Sequence, residues 1–146
     1  MPHFLALEAA IVERLRNRLP ADVHVLTRAE LAAVAEGNQP VPAVHVIYNG
    51  YRVAERRPDG TAARITQTWL VTVAVRNVRT QLTGEAARED AGELASAVLA
   101  ALMGWKPTTE GNSAPAQLVE APAPAYAAGF YYLPLAFELE TVVKST

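Results

Sequence analysis

The chain has no cysteine, and among its 146 residues there are only two lysines, three histidines and three serines. Without thiols there is no disulfide framework, thiolate zinc site or cysteine nucleophile, so packing has to supply the stability. The lysines are Lys106, followed by Pro107, and Lys144 in the tail, and neither follows a glycine-rich turn that feeds a helix, as a phosphate loop requires. Ser96, Ser113 and Ser145 all lack the Gly-x-Ser-x-Gly setting of a serine nucleophile. No run of about eighteen apolar residues occurs, so no transmembrane helix is expected. The N-terminus lacks the basic start and unbroken apolar stretch of a signal peptide, and it reads as a mature, cytoplasmic start.

A formal net charge of −2 argues against a protein that coats nucleic acid. The total conceals an asymmetry. Residues 1–51 carry four Arg against five acids, residues 52–79 six Arg against two acids, and residues 80–146 three basic residues against eight acids, a progression of −1, +4, −5. Separated patches of opposite sign suit a head-to-tail contact between copies of one chain, in which the positive patch of one meets the negative patch of the next. Ordinary solvated charges that happen to cluster account for the same pattern.

Phe4, Leu7, Ile11, Leu15 and Leu19 form the stripe of an amphipathic helix that Pro20 ends. A short strand is expected at Val23–Leu26. Thr27 with Glu30 is a capping box that opens an alanine-rich helix to about Glu36, closed by Gly37-Asn38. Pro40 and Pro42 lead into a strand at Val44–Tyr48, Asn49-Gly50 marks a bulge, and the strand resumes from Tyr51 to Arg57. Pro58-Asp59-Gly60 is a turn, after which Thr61–Arg76 returns antiparallel.

In the return strand Ile65, Gln67, Trp69, Val71, Val73 and Val75 share one face, the core face, and Thr66, Thr68, Leu70, Thr72, Ala74 and Arg76 the other. From Ile65 to Arg76 it spans about 40 Å, longer than a core of this size needs, so the far end should project. A second long helix, capped by Thr83, buries Ala87, Ala91, Leu94, Ala95, Val98 and Leu102 and ends at Gly104. Residues 105–129, with four prolines, read as a long loop with a short strand at Gln117–Glu120. Trp105 and Tyr126 at its ends favour an arm that orders against a partner. A last strand runs from Phe130 to Val143, with Pro134 pushing part of it to a sheet edge or bulge.

The expected fold is therefore α+β: a single domain over residues 1–146, with an antiparallel or mixed sheet and two main helices on one face. A hairpin around residues 51–65 projects from it, as does a loop arm around residues 105–129. His3, His24 and His45 are not at helical ligand spacing; a pairing of His24 with His45 across neighbouring strands is one reading, and satisfied or exposed strand histidines the other. Glu85, Glu89, Asp90 and Glu93 are the densest acidic group, and a solvated helix face explains them without a metal. Arg52, Arg56, Arg57, Arg64, Arg76 and Arg79 lie close in sequence to Tyr48, Tyr51 and Trp69, which could stack on bases, yet Trp69 belongs to the core face and arginine's planar fork suits carboxylates on a protein neighbour. No catalytic, cofactor or metal site is expected.

Four segments, PAVHVIYNGYRV (Pro42–Val53), QTWLVTVAVRNVRTQ (Gln67–Gln81), GELASAVLAALMGWKP (Gly92–Pro107) and YYLPLAFELET (Tyr131–Thr141), together with the opening helix, resemble the tail terminator proteins of long-tailed bacteriophages, prophages and gene-transfer particles. The resemblance covers nearly the whole chain. It implies a non-enzymatic α+β subunit that closes into a hexameric ring, caps the tail tube, stops its growth and meets the head-completion or stopper protein. On that view the partners are the chain itself, the tube protein and the head-completion protein, with DNA passing through the lumen without sequence-specific binding and no membrane involved. The setting implied is the head-proximal end of the tail in a virion assembled in the bacterial cytoplasm. Interface residues are then Arg52, Arg56, Arg57 and Arg64 on one side, Glu85, Glu89 and Asp90 on the other, with Trp105 and Tyr126 on the arm. Another connector, a tube subunit, or a small-ligand binding domain are the alternative readings.

Overall fold

In the computed structural model, which describes residues 3–77, 85–108, 111–112 and 114–145, the elements in chain order are α1 (Ala6–Arg18), β1 (His24–Thr27), α2 (Arg28–Ala32), a 3-10 turn (Glu36–Asn38), β2 (Ala43–Arg56), β3 (Ala62–Arg76), α3 (Glu85–Leu102), β4 (Gln117–Val119), β5 (Ala125–Ala127) and β6 (Phe130–Lys144). The expected cap at Thr83 and the arginine at position 79 lie outside the described residues. The strands form one mixed sheet in the order β1-β2-β3-β6-β4, with β5 also on β6; β1 runs parallel to β2 and every other pairing is antiparallel. This is the α+β class that the order of patterns predicts.

β3 is the spine. It is paired from Ala62 to Arg76 with β6 without a register break, and on its other side with β2. Its predicted core face is buried, with Ile65, Gln67, Trp69, Val71, Val73 and Val75 all nearly inaccessible. Leu7, Ile11 and Leu15 of α1 and Ala91, Val98 and Leu102 of α3 pack on that face as one cluster with Val44 and Val46 of β2 and Phe137 and Leu139 of β6. Burial of this apolar surface, at about 25 cal/mol per Å², is the main stabilising term.

The two helices are further joined by Arg14, whose Nε donates to the carbonyl of Ala101 at 2.9 Å while its guanidinium lies 5.6 Å from the centre of the Trp105 ring. One polar side chain sits inside the cluster. Gln67 donates from Nε2 to the carbonyl of Phe4 at 2.8 Å and accepts from Trp69 Nε1 at 3.1 Å, so the buried amide and indole satisfy each other and tie the start of α1 to the sheet.

β2 is irregular where Asn49-Gly50 suggests it. Tyr48 faces Trp69 and Tyr51 faces Gln67, so three steps on β2 match two on β3, and Gly50 takes the extra residue at φ 101°. A second shift falls between Val53 and Glu55. At the Pro58-Asp59-Gly60 turn, Asp59 accepts from Thr61 N at 3.0 Å and Gly60 has φ 77°. Beyond Val46 the outer edge of β2 has no strand partner among the described residues, because β1 covers only Ala43–Val46.

The structure departs from the sequence expectations in three places. The capping box at Thr27 is formed, with Thr27 N donating to Glu30 Oε1 at 3.2 Å and Glu30 N to Thr27 Oγ1 at 3.4 Å, but α2 ends at Ala32 rather than near Glu36. None of its residues is buried, and a helix this short with no packed face has little to extend it. Gly37-Asn38 accordingly belongs to the separate 3-10 turn.

The second departure is in the stretch expected as a loop arm, parts of which are held by β6. The expected short strand is β4, which pairs with Ala136–Glu138; beyond it, Gly111 O accepts from Val142 N at 2.8 Å and β5 forms a tight hairpin with Phe130–Tyr132. Third, the far end of the hairpin is three-stranded, since Thr141–Lys144 of β6 runs beside Ile65–Ala62. Pro134 falls in the gap between the segments of β6 held by β5 and β4, where the lack of an N–H breaks no ladder on that side.

Replacing Gln67 with Leu keeps the volume but leaves the Trp69 indole N–H and the Phe4 carbonyl without partners. The expected loss is about 1–3 kcal/mol, read as a lower midpoint in urea unfolding followed by Trp fluorescence.

Candidate functional site

The chemistry-bearing residues lie on the two faces of the long sheet. On the face away from the helices, Arg52 of β2 reaches over β3 to Glu138 of β6 at 2.9 Å, and Arg64 of β3 pairs with Glu55 at 2.9 Å and Glu140 at 3.7 Å. These ladders are largely exposed, so each contributes little to stability. Their effect is selective occupation: Arg52 and Arg64 are already paired within the chain, while Arg56 and Arg57, exposed at the turn, have no ion-pair partner among the described residues. The counterpart side has Glu89 and Asp90 exposed on the first turns of α3, with Glu85 on the same helix.

On the helix face the core continues outward past the start of α1. Phe4 meets Tyr48 edge-on at 6.4 Å and Tyr51 at 5.6 Å, and Tyr48 packs at 5.2 Å on buried Trp69. Tyr51 remains 57% and Val53 52% exposed. A string of aromatic and apolar side chains thus leads from the core to open surface, the kind of feature that marks contact with another protein. Tyr48 and Tyr51 stand out in the sequence as stacking candidates; Phe4, read there as part of a helix stripe, belongs with them because its ring precedes α1 and turns over the bulge.

The arm residues differ from each other. Trp105 is half-buried under Arg14, with its backbone tied to Leu102 and Ala116, so its ring anchors the end of α3. Tyr126 is 51% exposed and stacks at 4.7 Å on Tyr131 across the β5–β6 hairpin. The signal for that hairpin was the Ala127-Ala128-Gly129 turn between two tyrosine-bearing runs; Ala128 and Gly129 both have positive φ.

His24 and His45 are not opposed, since the register sets His24 against Ala43 and His45 against Leu26. His45 is buried on the sheet face that carries Tyr132, and the segment after α2 folds over both: Gln39 Nε2 donates to Tyr132 Oη at 2.6 Å, and Tyr132 Oη donates to Glu36 Oε1 at 3.0 Å. Burial, with the neighbouring Glu36 carboxylate adding to it, holds the Tyr132 phenol above its ordinary value, so it stays protonated and able to donate. Sequence reading missed this cluster because its members come from positions 36, 39, 45 and 132. Among the described residues no group of three or more His, Asp or Glu side chains is placed to hold a metal ion.

The small α+β subunit thus carries paired charges on its surface, arginines without ion pairs at the turn and core aromatics running out to open surface. The sequence matches the family described as phage tail terminator protein over residues 1–146, and the chain belongs to that family, which is one of structural virion proteins. A chain in the virion of a native gene transfer agent (GTA) particle has a similar fold, with a TM-score of 0.58 at 18% identity over 94% of this chain and 96% of that one. Among curated protein sequences none matches.

Burial lowers the pKa of His45 below the usual imidazole value of 6.5. The unfolded chain therefore takes up the proton first as pH falls, and the stability associated with neutral His45 is complete above 6.5 and lost progressively below it. Urea midpoints at pH 7.5 and at about pH 5.5 should separate for the wild type, and His45→Gln should reduce that separation.

Proposed function

We propose that this protein is the ring-forming terminator of a phage-type tail. Six copies close head to tail, cap the last ring of tube subunits, stop further polymerisation and offer their other face to the head-completion protein. The ring sits at the head-proximal end of the tail, DNA passes through its lumen without sequence-specific contact, and no catalysis is involved. Assembly takes place in the bacterial host cytoplasm. The observation that carries this reading is the family match along the entire chain; the likeness in fold to a chain of the gene transfer agent virion supports it.

Ring closure needs a self-contact between two different patches. The exposed pair Arg56 and Arg57 provides one, with Arg52 and Arg64 beside it paired within the chain; Glu85, Glu89 and Asp90 of α3 provide the other. Tyr126, on the short hairpin, supplies an apolar contact at the rim, and Trp105 fixes the end of the helix behind it.

Light-scattering mass of the purified protein, alone and with short tube assemblies, tests the reading. A mass of six chains, or a smaller species that binds tubes and halts their elongation, is expected. A species that leaves tubes growing contradicts the terminator role, and open-ended filaments point to a tube subunit instead. Reversing the charges of Arg56 and Arg57 should abolish the ring, reversing Glu89 and Asp90 should do the same, and the joint reversal should restore it; failure of the joint variant assigns the contact elsewhere.

A further inference from the structure

We propose that the cavity between the segment after α2 and the open sheet face is a receptor for a single guanidinium group presented by a protein partner. The cavity has a volume of about 220 Å³ and is lined by Leu31, Val34, Glu36, Gln39, His45 and Tyr132.

Three features define its chemistry. His45 is only 5% exposed and its Nε2 has no hydrogen-bond partner, a state that is unfavourable for a buried polar atom unless something fills the cavity beside it. Glu36 is exposed at the mouth, and one of its oxygens is fixed by Tyr132 Oη, which in turn accepts from Gln39. Leu31 and Val34 supply apolar wall beside these groups. With the proton of the neutral His45 ring on Nδ1, Nε2 and the Glu36 carboxylate are both acceptors, so the matching guest is a multi-donor cation with an apolar stem. Arginine fits better than lysine, because its fork reaches two separated acceptors at once, its plane stacks on an aromatic ring such as Tyr132, and it is the more weakly hydrated of the two.

Within one copy Arg56 cannot reach this cavity, because His45 and Arg56 are near opposite ends of β2, about 36 Å apart along the strand at ~3.3 Å per residue, and Arg76, on the same sheet face as Tyr132, is engaged over the Phe130 ring at 5.0 Å. The guest proposed is Arg56 or Arg57 of another copy or an arginine of a different tail protein.

The test uses nitrogen-15 NMR of the histidine side chains in the intact protein. Methylguanidinium is titrated in, with methylammonium and sodium chloride as controls at matched ionic strength. The expected result is a His45 ring with Nε2 unprotonated that shifts saturably with methylguanidinium, more weakly with methylammonium and not with sodium chloride, while His24 stays unmoved. Glu36→Gln, at an exposed position, should weaken the effect about tenfold, the order expected when a charge-assisted hydrogen bond becomes a neutral one. A proton on Nε2, or a response no greater for methylguanidinium than for the controls, overturns the proposal and leaves the terminator reading standing, since this measurement needs no ring.

The source of the guest is separated by mass and by tube capping. If another copy supplies it, Glu36→Gln lowers the assembled mass. If a different tail protein supplies it, Glu36→Gln keeps the wild-type mass and weakens tube capping.

Discussion

The structure depends on one strand being paired along its full length on both sides. β3 holds β6 in unbroken register from Ala62 to Arg76 and β2 on its other flank, and because side chains alternate, that register fixes which residues of three strands share a face. A slip by one residue would turn Trp69, Val71 and Val73 away from the helices and bring Thr68, Leu70 and Thr72 in. The helices are secondary to this in a physical sense, since their apolar stripes have a surface to cover only once the register is set. Gln67 strengthens the arrangement, because its bonds to Trp69 and Phe4 are available only when it faces inward.

Much of this was legible because the signals are periodic. The α1 stripe of Leu7, Ile11 and Leu15, the α3 stripe through Val98 and Leu102, and the alternation along β3 repeat often enough to be recognised, and their residues are the buried ones. Turn chemistry was equally readable at Gly50 and at Asp59-Gly60, where a positive φ or a side-chain acceptor is required. What failed was local propensity without packing. The alanine-rich segment after Thr27 has the composition of a longer helix, but with no buried residue it stops after five residues. Of the short strands, β1 and β4 fall where they are expected, while β5 was hidden for the opposite reason: it is three residues long, and its existence depends on the long neighbour it pairs with.

The functional surface was legible only as composition. Six arginines between positions 52 and 79 are visible in the sequence, but the partner of Arg52 and one of the two partners of Arg64 lie more than 70 positions away. Glu138 takes Arg52, and Glu55 and Glu140 share Arg64, which leaves Arg56 and Arg57 at the turn and Arg76, over the Phe130 ring, without an ion pair among the described residues. The cluster around His45 is likewise assembled from distant positions, and no spacing rule could have brought Tyr132 to Gln39.

Beyond Val46 the outer edge of β2 has no strand partner among the described residues, and this bears on how the chain behaves in crowded solution. An unpaired strand edge is a template on which further strands can add, and long flat edges invite unlimited edge-to-edge growth. Here the edge is bent by two register shifts and carries Arg52, Glu55 and Arg56 along its length, so a second regular strand meets a broken ladder and a set of charges. Bends and charges of this kind oppose regular edge-to-edge growth, so a contact made along this edge has to match its irregular shape.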